Sequence, residues 1–140
     1  MLVVVDAGVF VSAAITPGGA PSRIVARGIE GRFDYLICPT LIKELTGVLT
    51  RPKIARLLGE NDRLRFLNLV LGAARNVDDP AVVETFTRDP DDDYLVALAI
   101  EHRAEWIVTG DRDLHALASR RVPTTTPRAF LGLLGASSGA

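Results

Sequence analysis

The segment LVVVD at residues 2–6 predicts a short buried β-strand that ends on a carboxylate. Its four consecutive apolar residues are too β-branched and too continuous to form one face of a helix. Asp6 then leaves the strand at its carboxyl end. A charged side chain at such a point is costly if it is buried without partners. Asp6 therefore either caps the turn that follows or belongs to a site.

Three further acidic residues occupy comparable positions. Asp111 follows the apolar run WIVTG at 106–110, Asp93 opens an apolar helix, and Glu44 lies one turn into a helix that follows a strand. The carboxyl ends of parallel strands share one edge of a sheet, where binding sites form. Carboxylates that converge there repel one another unless a cation joins them, and hard divalent ions such as Mg²⁺ prefer oxygen ligands. The pattern indicates metal-assisted chemistry on a phosphate.

The length and composition predict one domain with a substantial core. The chain has 140 residues, of which 48% are hydrophobic and 24% charged, as in an ordinary soluble protein. Strand patterns alternate with helix patterns along the chain, so we expect an α/β fold with a mainly parallel sheet. We place a single domain at 1–134 and expect a disordered tail at 135–140.

The net charge and the cysteine content restrict the function less than the acidic residues do. The net charge of −1 gives no hint of nucleic-acid binding. Basic residues at 51–65 form either a phosphate-facing patch or a solvated helix face. The single cysteine, Cys38, excludes an intrachain disulfide and is interpreted as a small core residue. His102 and His115 lack zinc-type spacing and are interpreted as surface or packing residues.

A cytoplasmic location is expected. Asp6 interrupts the only apolar start, so no secretory leader is predicted. No segment approaches the roughly 20 apolar residues that a membrane span requires. A chain without a disulfide also suits a reducing compartment.

Turn residues and apolar periodicity predict the remaining elements. Pro39 suits the first turn of a helix, Ser22, Asn61 and Asp62 are residue types that cap helices, and Pro52 begins or breaks the next helical piece. The predicted elements are strands at about Asp34 to Ile37, 106–109 and Val122 to Thr125, extended pieces within Asn76 to Thr85, and helices at Ser22 to Glu30, Pro39 to Leu49, Arg63 to Ala74, 93–102, Leu114 to Ala118 and Arg128 to Leu134.

The predicted helix Arg63 to Ala74 carries more apolar residues than one face can hold. An amphipathic surface helix needs a single apolar stripe, whereas leucine, valine, phenylalanine and alanine here cover more than one face. Two interpretations remain open. The helix is buried on two sides within the monomer, or one of its sides meets another chain.

The acidic candidates also have purely structural interpretations. One residue of the run DDD at 91–93 is enough to cap a helix N-terminus. Three adjacent carboxylates exceed that need, and Asp93 is the best placed for another role, while Asp92 is best suited to capping. Asp113 is able to cap the next helix. Glu44 by itself is typical of a solvated helix surface.

Taken together, the motifs resemble those of PIN domains. The resemblance extends over nearly the whole chain and is closest to the branch regarded as toxin components of bacterial toxin–antitoxin pairs. It rests on the order Asp6, Glu44, Asp93, Asp111, on RDPDDDYLVALA at 88–99 and IVTGDRDL at 107–114, on VVVD at 3–6 with VFVS at 9–12, on PTLIKEL at 39–45 with RPK at 51–53, and on the closing helix from Pro127 to Leu131.

The resemblance implies a fold, an activity and partners. The fold would be a three-layer α/β/α sandwich with a central, mainly parallel sheet. The activity would be a Mg²⁺- or Mn²⁺-dependent ribonuclease, with RNA as substrate. The partners would be a second copy of the chain and a small antitoxin protein. One departure is present, because PIN domains usually read Asp-Thr-Asn or Asp-Thr-Ser where this chain reads Asp6-Ala7-Gly8. Loss of a hydrogen bonder beside a metal ligand costs about 10–100-fold in affinity or activity.

The resemblance also implies roles for individual residues. Asp6, Glu44, Asp93 and Asp111 would form the catalytic set and hold one or two divalent ions, with Glu44 as a ligand or as the residue that orients a bound water. The remaining candidates each have an ordinary role in a turn as their alternative. Ser12 and Thr109 are candidates to bond a scissile phosphate and Arg112 to neutralise it, and Asp92 and Asp113 are candidates to support the ligands from behind.

Two other functions stay open. A phosphatase with an aspartyl nucleophile also needs carboxylates after strands, although its Asp-x-Asp signature is expected near the first strand and Asp111-Arg112-Asp113 follows a late one. A PIN-like binding domain with a weakened site is consistent with Ala7 and Gly8. Release of phosphate from a small ester would favour the first, and absence of metal-dependent RNA cleavage would favour the second.

Overall fold

The structure is a computed structural model that describes residues 1–81, 83, 90–112, 114–115 and 121–138, with only the backbone at 90–92 and 136–138. These residues form five strands and seven helices. They are β1 Leu2–Val5, α1 Ala7–Ile15, α2 Ala20–Ile29, β2 Asp34–Ile37, α3 Pro39–Leu49, α4 Pro52–Ala55, α5 Glu60–Ala73, β3 Arg75–Asn76, α6 Pro90–Glu101, β4 Trp106–Val108, β5 Thr124–Thr125 and α7 Pro127–Ser138.

The five strands form one parallel sheet in the order β3-β2-β1-β4-β5. Right-handed crossovers place the helices that connect β1, β2 and β3 on one face and α6, which leads into β4, on the other. α7 returns to the first face and packs on α2. The three-layer α/β/α sandwich expected from the sequence is therefore confirmed, and β1 lies at its centre with Val3 and Val4 fully buried.

The strand order reverses between β1 and β4, which makes their carboxyl ends the switch point of the sheet. Val5 pairs with Val108 at the end of the ladder. One further hydrogen bond continues the pairing, because the Asp6 amide donates to the Val108 carbonyl at 3.0 Å. Chain segments leave this point in opposite directions, and the crevice between them is where ligands bind in open α/β sheets.

Helix α1 follows β1 without a loop and was not predicted. The Asp6 side chain caps it by accepting a hydrogen bond from the Gly8 amide at 3.3 Å. Most of the helix is buried, including Val9, Phe10 and Val11. Because it is enclosed on several sides, it lacks the polar stripe by which an amphipathic helix is recognised.

Several predicted elements are confirmed. β2 and α3 have the bounds expected from the sequence, α4 begins at Pro52, and β4 and β5 lie within their predicted ranges. β3 begins one residue before the predicted range. Residues 116–118 of the predicted helix Leu114 to Ala118, and the later part of the predicted extended region, lie outside the described residues.

Three predicted helix starts are wrong. α2 begins at Ala20 with Gly19 as N-cap instead of Ser22, since Pro21 fits the first helical turn. α5 begins at Glu60 after Gly59, so Asn61 and Asp62 lie inside its first turn rather than before it. α6 begins at Pro90, so the acidic run at 91–93 is helical, and the prediction that Asp92 precedes the helix as its cap is wrong.

The chain end also differs from the prediction. α7 continues to Ser138, so residues 135–138 are helical where a disordered tail was expected. This stretch contains no proline, and glycine at 135 costs a helix only about 1 kcal/mol relative to alanine. None of the described helices combines the length and the apolar character needed to cross a membrane.

The outer side of α5 is exposed. Its inner side packs on the domain with Val70 fully buried, whereas Leu64 is 48% and Leu69 50% exposed. The interpretation that this helix is buried on two sides within the monomer is therefore wrong. The apolar residues beyond the first stripe face solvent in a single chain.

Close packing of α2 on an aromatic pair provides a test of the fold. A Cβ at Gly28 would lie 3.0 Å from Phe33 Cζ and 3.0 Å from Tyr35 Cε1. The Tyr35 hydroxyl donates to the Val70 carbonyl, which fixes its ring. We expect Gly28→Ala to lower the free energy of unfolding in urea by about 1–3 kcal/mol because the rings must shift. Gly132→Ala is the control, since a Cβ there has nothing within 4 Å; equal effects of both would show that the packing is not tight.

Candidate active site

Asp6 and Asp111 face the same cavity at the switch point of the sheet. The cavity has a volume of about 370 Å³ and is lined by Asp6, Gly8, Val9, Ser12, Pro21, Gly110, Asp111 and Pro127. Asp6 follows β1 and Asp111 follows β4, so the neighbouring strands place the two residues together. The sequence predicted that these two acidic residues lie close together, and the fold brings them to one cavity.

The Thr109 hydroxyl links the two acidic residues. It donates to Asp6 Oδ2 at 2.8 Å and accepts from the Asp111 amide at 3.0 Å. Thr109 is fully buried, and its hydroxyl is engaged by both acidic residues. That it also binds a scissile phosphate stays a prediction. Hydrogen bonds from buried groups set the orientation of ligating carboxylates. Ala7 and Gly8 have no side-chain donor for Asp6. The Thr109 hydroxyl and the Gly8 amide donate to Asp6 instead.

His115 supports the turn that carries Asp111. Its Nε2 lies 2.7 Å from the Thr109 carbonyl oxygen, and its Nδ1 contacts the Thr124 hydroxyl. A carbonyl only accepts, so Nε2 carries a proton. The His115 amide also donates to the Asp111 carbonyl at 3.1 Å. The sequence analysis interpreted His115 as a surface or packing residue. It did not predict the contact with Thr124, because that contact depends on the strand order of the sheet.

Glu44 lines a different cavity, together with Tyr94. Glu44 Oε2 accepts a hydrogen bond of 2.6 Å from the Tyr94 hydroxyl. Burial and the Glu44 carboxylate raise the pKa of Tyr94 well above its ordinary value, and the negative charge of Asp6 adds to this effect. Tyr94 therefore lies within electrostatic reach of both acidic residues. The sequence did not single it out.

Helix α6 brings acidic residues to the same end of the sheet. Asp93 is buried, with 3% of its surface exposed. Positions 91, 92 and 93 each precede buried residues of α6 by three and four positions, so helical spacing does not distinguish them.

A distant carboxylate positions the helix that carries Glu44. The N-cap of α3, Cys38, provides no side-chain cap. Asp79 supplies one instead, accepting from the Thr40 amide at 2.9 Å, and this bond lowers the pKa of Asp79. Burial raises the pKa of the Cys38 thiol to about 11, in agreement with its predicted place in the core.

The donor set of this site suits a hard cation. Among the described residues, no group of three or more carboxylate, imidazole or thiol side chains is arranged to hold a metal ion. Asp6 and Asp111 are the carboxylates among the described residues that line this cavity. Mg²⁺ commonly binds through one or two carboxylates and keeps several waters, so these two residues fit such an ion.

The remaining candidates are placed as follows. Ser12 lines the cavity with Asp6 and Asp111. Arg112 is exposed next to Asp111, and Asp113 lies outside the described residues. His102 is half-buried at the end of α6.

Comparisons with known proteins agree on the family. The PIN domain model matches residues 2–113. Uncharacterized protein MJ1680 of Methanocaldococcus jannaschii is 31% identical over 115 residues, which cover 82% of this chain and 74% of that protein. A chain from the crystal structure of VapBC2 of Rickettsia felis, bound to a DNA fragment from its promoter, has the same fold, with a TM-score of 0.62 and 13% identity over 90% of this chain and 98% of that chain. The chain belongs to the PIN domain family.

The hydroxyl of Thr109 can be tested by an isosteric substitution. Thr109→Val keeps the shape but leaves Asp6 without its buried donor and the Asp111 amide without its acceptor. We expect a loss of about 1.5–3 kcal/mol in unfolding free energy, the range for hydrogen bonds to charged groups. Chemical denaturation measures it. Thr109→Ser, which keeps the hydroxyl, should lose less, and equal losses would mean that only the methyl group matters.

Proposed function

We propose that this protein is a metal-dependent endoribonuclease and acts as the toxin of a toxin–antitoxin pair on cytoplasmic RNA. One observation carries the proposal. Asp6 and Asp111 stand at the switch point of the sheet, face one cavity and are joined by the buried Thr109 hydroxyl. Membership of the PIN domain family supports a nuclease.

Each acidic residue has a proposed role. Asp6 and Asp111 would hold Mg²⁺ or Mn²⁺, with a further carboxylate from the start of α6, Asp93 or its neighbour Asp92. A bound ion of this kind lowers the pKa of a coordinated water and stabilises charge on a phosphodiester. Glu44, held by Tyr94, would orient the water from the adjoining cavity. The family resemblance implies a 5′-phosphate and a 3′-hydroxyl as products.

Two further residues would bind the substrate. Ser12 lines the cavity and would donate a hydrogen bond to the scissile phosphate. The exposed guanidinium of Arg112 would neutralise part of its charge, since arginine pairs with phosphate through two parallel hydrogen bonds. Both residues are secondary to the carboxylates, because a phosphodiester that is merely positioned still needs the metal ion that the carboxylates would hold.

Substitution of the carboxylates tests the proposal. We expect Asp6→Asn and Asp111→Asn to abolish cleavage of RNA in Mg²⁺ or Mn²⁺. In EDTA both variants should be as stable as the parent or more so, because they relieve repulsion worth a few kcal/mol at most. The metal should stabilise the parent by roughly 2.7 kcal/mol at a hundred times its dissociation constant, and should not stabilise the variants. Variants that melt well below the parent in EDTA would show that these acidic residues are structural.

Helix α6 requires its own comparison. Asp91→Asn, Asp92→Asn and Asp93→Asn remove the same charge at adjacent helical positions. We expect Asp93→Asn to lower cleavage and metal-induced stabilisation together, because Asp93 is buried near the start of α6, and Asp91→Asn to be nearly silent. A loss in Asp92→Asn with Asp93→Asn unaffected would identify Asp92 as the ligand instead. Three equally mild effects would mean that the run is only a solvated helix start. A parent that binds metal but does not cleave RNA would favour the weakened binding domain.

We also propose that a second copy of the chain covers the outer strip of α5, defined as Leu69, Gly72 and Ala73. These residues are exposed on one side of the helix, and Gly72 leaves open space for close approach. Leu64 is exposed as well, but nine residues at about 100° each place it half a turn away from Ala73, outside the strip.

The pairing is tested by sedimentation velocity. Leu69→Arg should convert a dimeric parent to a monomer, because a charge within the strip loses its solvation on association. Leu57→Arg, at a leucine 67% exposed outside α5, is the control. A monomeric parent, or a dimer that survives Leu69→Arg, would contradict this interface.

A small antitoxin is the other proposed partner. The resemblance to the toxin branch supports it, together with the fold shared with a chain of VapBC2. Its test is stoichiometric inhibition of RNA cleavage by the product of an adjacent gene. Failure of every adjacent product to bind would contradict the toxin assignment and leave the nuclease assignment intact.

A further inference from the structure

A second and larger cavity opens along one face of α3. Its volume is about 710 Å³, and it is lined by Thr40, Lys43, Glu44, Gly47, Val48, Arg51, Val83 and Tyr94. The α3 residues recur at intervals of three and four, so one side of this helix forms the wall. We name this cavity the α3 cleft. Gly47 leaves the wall open, because a Cβ there would have nothing within 4 Å.

Charge is distributed unevenly along the α3 cleft. Lys43 and Arg51 are exposed, and within the described ranges the ion pairs of arginine involve Arg32, Arg63 and Arg75 instead. Lys43 directly precedes Glu44 on α3, and Arg51 lies two residues beyond Leu49, the last residue of that helix. The described lining of the cleft therefore carries one carboxylate, which Tyr94 binds, and two exposed basic side chains.

Tyr94 lines the α3 cleft, and its hydroxyl donates a hydrogen bond to Glu44. The cleft therefore shares Glu44 with the acidic set of the proposed function. Tyr94 is only 7% exposed, so it offers no open ring for bases to stack on.

We propose that the α3 cleft binds the sugar-phosphate backbone of single-stranded RNA on one side of the scissile phosphate, with Lys43 and Arg51 contacting flanking phosphates. This inference rests on the proposed function. Grooves that bind single strands combine positive charge along the backbone with stacking on aromatic rings. The α3 cleft has the positive charge of Lys43 and Arg51, but its described lining residues include no exposed aromatic ring. We therefore expect it to bind the backbone whatever the base sequence.

The test is equilibrium binding of a fluorescent single-stranded RNA in EDTA, measured by anisotropy over a series of salt concentrations. Binding in EDTA needs no metal and no catalysis. Lys43→Ala/Arg51→Ala should weaken binding about tenfold and reduce the salt slope by roughly 1.4, or about 0.7 for each phosphate of the single strand that is no longer neutralised. Lys53→Ala/Arg56→Ala is the matched control. It removes the same charge from exposed residues nearby that do not line the cleft.

A second pair of variants separates position from net charge. Gly47→Glu places a carboxylate in the cleft where space is open, and Gly132→Glu makes the same change on α7, also into open space. We expect Gly47→Glu to weaken RNA binding and Gly132→Glu to leave it close to the parent value. Urea denaturation of both variants confirms that the fold is retained.

The outcomes distinguish this inference from the proposed function. If the parent cleaves RNA but the cleft variants bind like their controls, the inference is overturned and the nuclease stands. If RNA binding depends on Lys43 and Arg51 but no metal supports cleavage, the cleft stands and the nuclease fails. A parent that binds no RNA at roughly 100 µM, the weak limit of non-specific binding, overturns the inference.

Discussion

The parallel pairing of β1 with β4 is the constraint on which the candidate site depends. The ladder aligns Val5 with Val108 and continues by one hydrogen bond, from the Asp6 amide to the Val108 carbonyl. That last bond places Asp6 beside Thr109, across two strands that are 103 residues apart along the chain. Since the strand order reverses here, helices leave on opposite sides and a crevice opens at the strand ends.

Buried hydrogen bonds then give this crevice a defined geometry. The Thr109 hydroxyl donates its proton to Asp6 and accepts a hydrogen bond from the Asp111 amide. His115, which also contacts Thr124 of β5, donates a hydrogen bond to the Thr109 carbonyl. A network of this kind strengthens when every member is satisfied and is costly when one is not. The network also compensates for the missing side-chain donors at Ala7 and Gly8, because Asp6 accepts from the Gly8 amide and from the Thr109 hydroxyl instead.

The acidic residues divide into two groups that are held in different ways. Asp6 and Asp111 depend on the sheet, whereas Glu44 depends on the placement of α3. That helix is capped by Asp79 and its carboxylate is bound by Tyr94 of α6. The arrangement separates a site at the sheet edge from a longer cleft beside it. Under the proposed function, this separation suits a polymer that is cleaved at the sheet edge and held in the cleft.

Local pattern determined the parts of this protein that a short segment specifies. Valine-rich runs ending on Asp6 and Asp111 marked two central strands and their carboxylates, and Pro39 marked the start of α3. Helix starts were less certain because proline, glycine and acidic residues all suit a first turn, as α2, α5 and α6 demonstrate. Helix α1 was missed because burial on several sides removes the polar stripe. The partners of Thr109, the cap from Asp79, the support from His115 and the exposure of Leu69 were decided only by tertiary structure. Each depends on which distant segments become neighbours, and periodicity within one segment carries no information about the order of strands in a sheet.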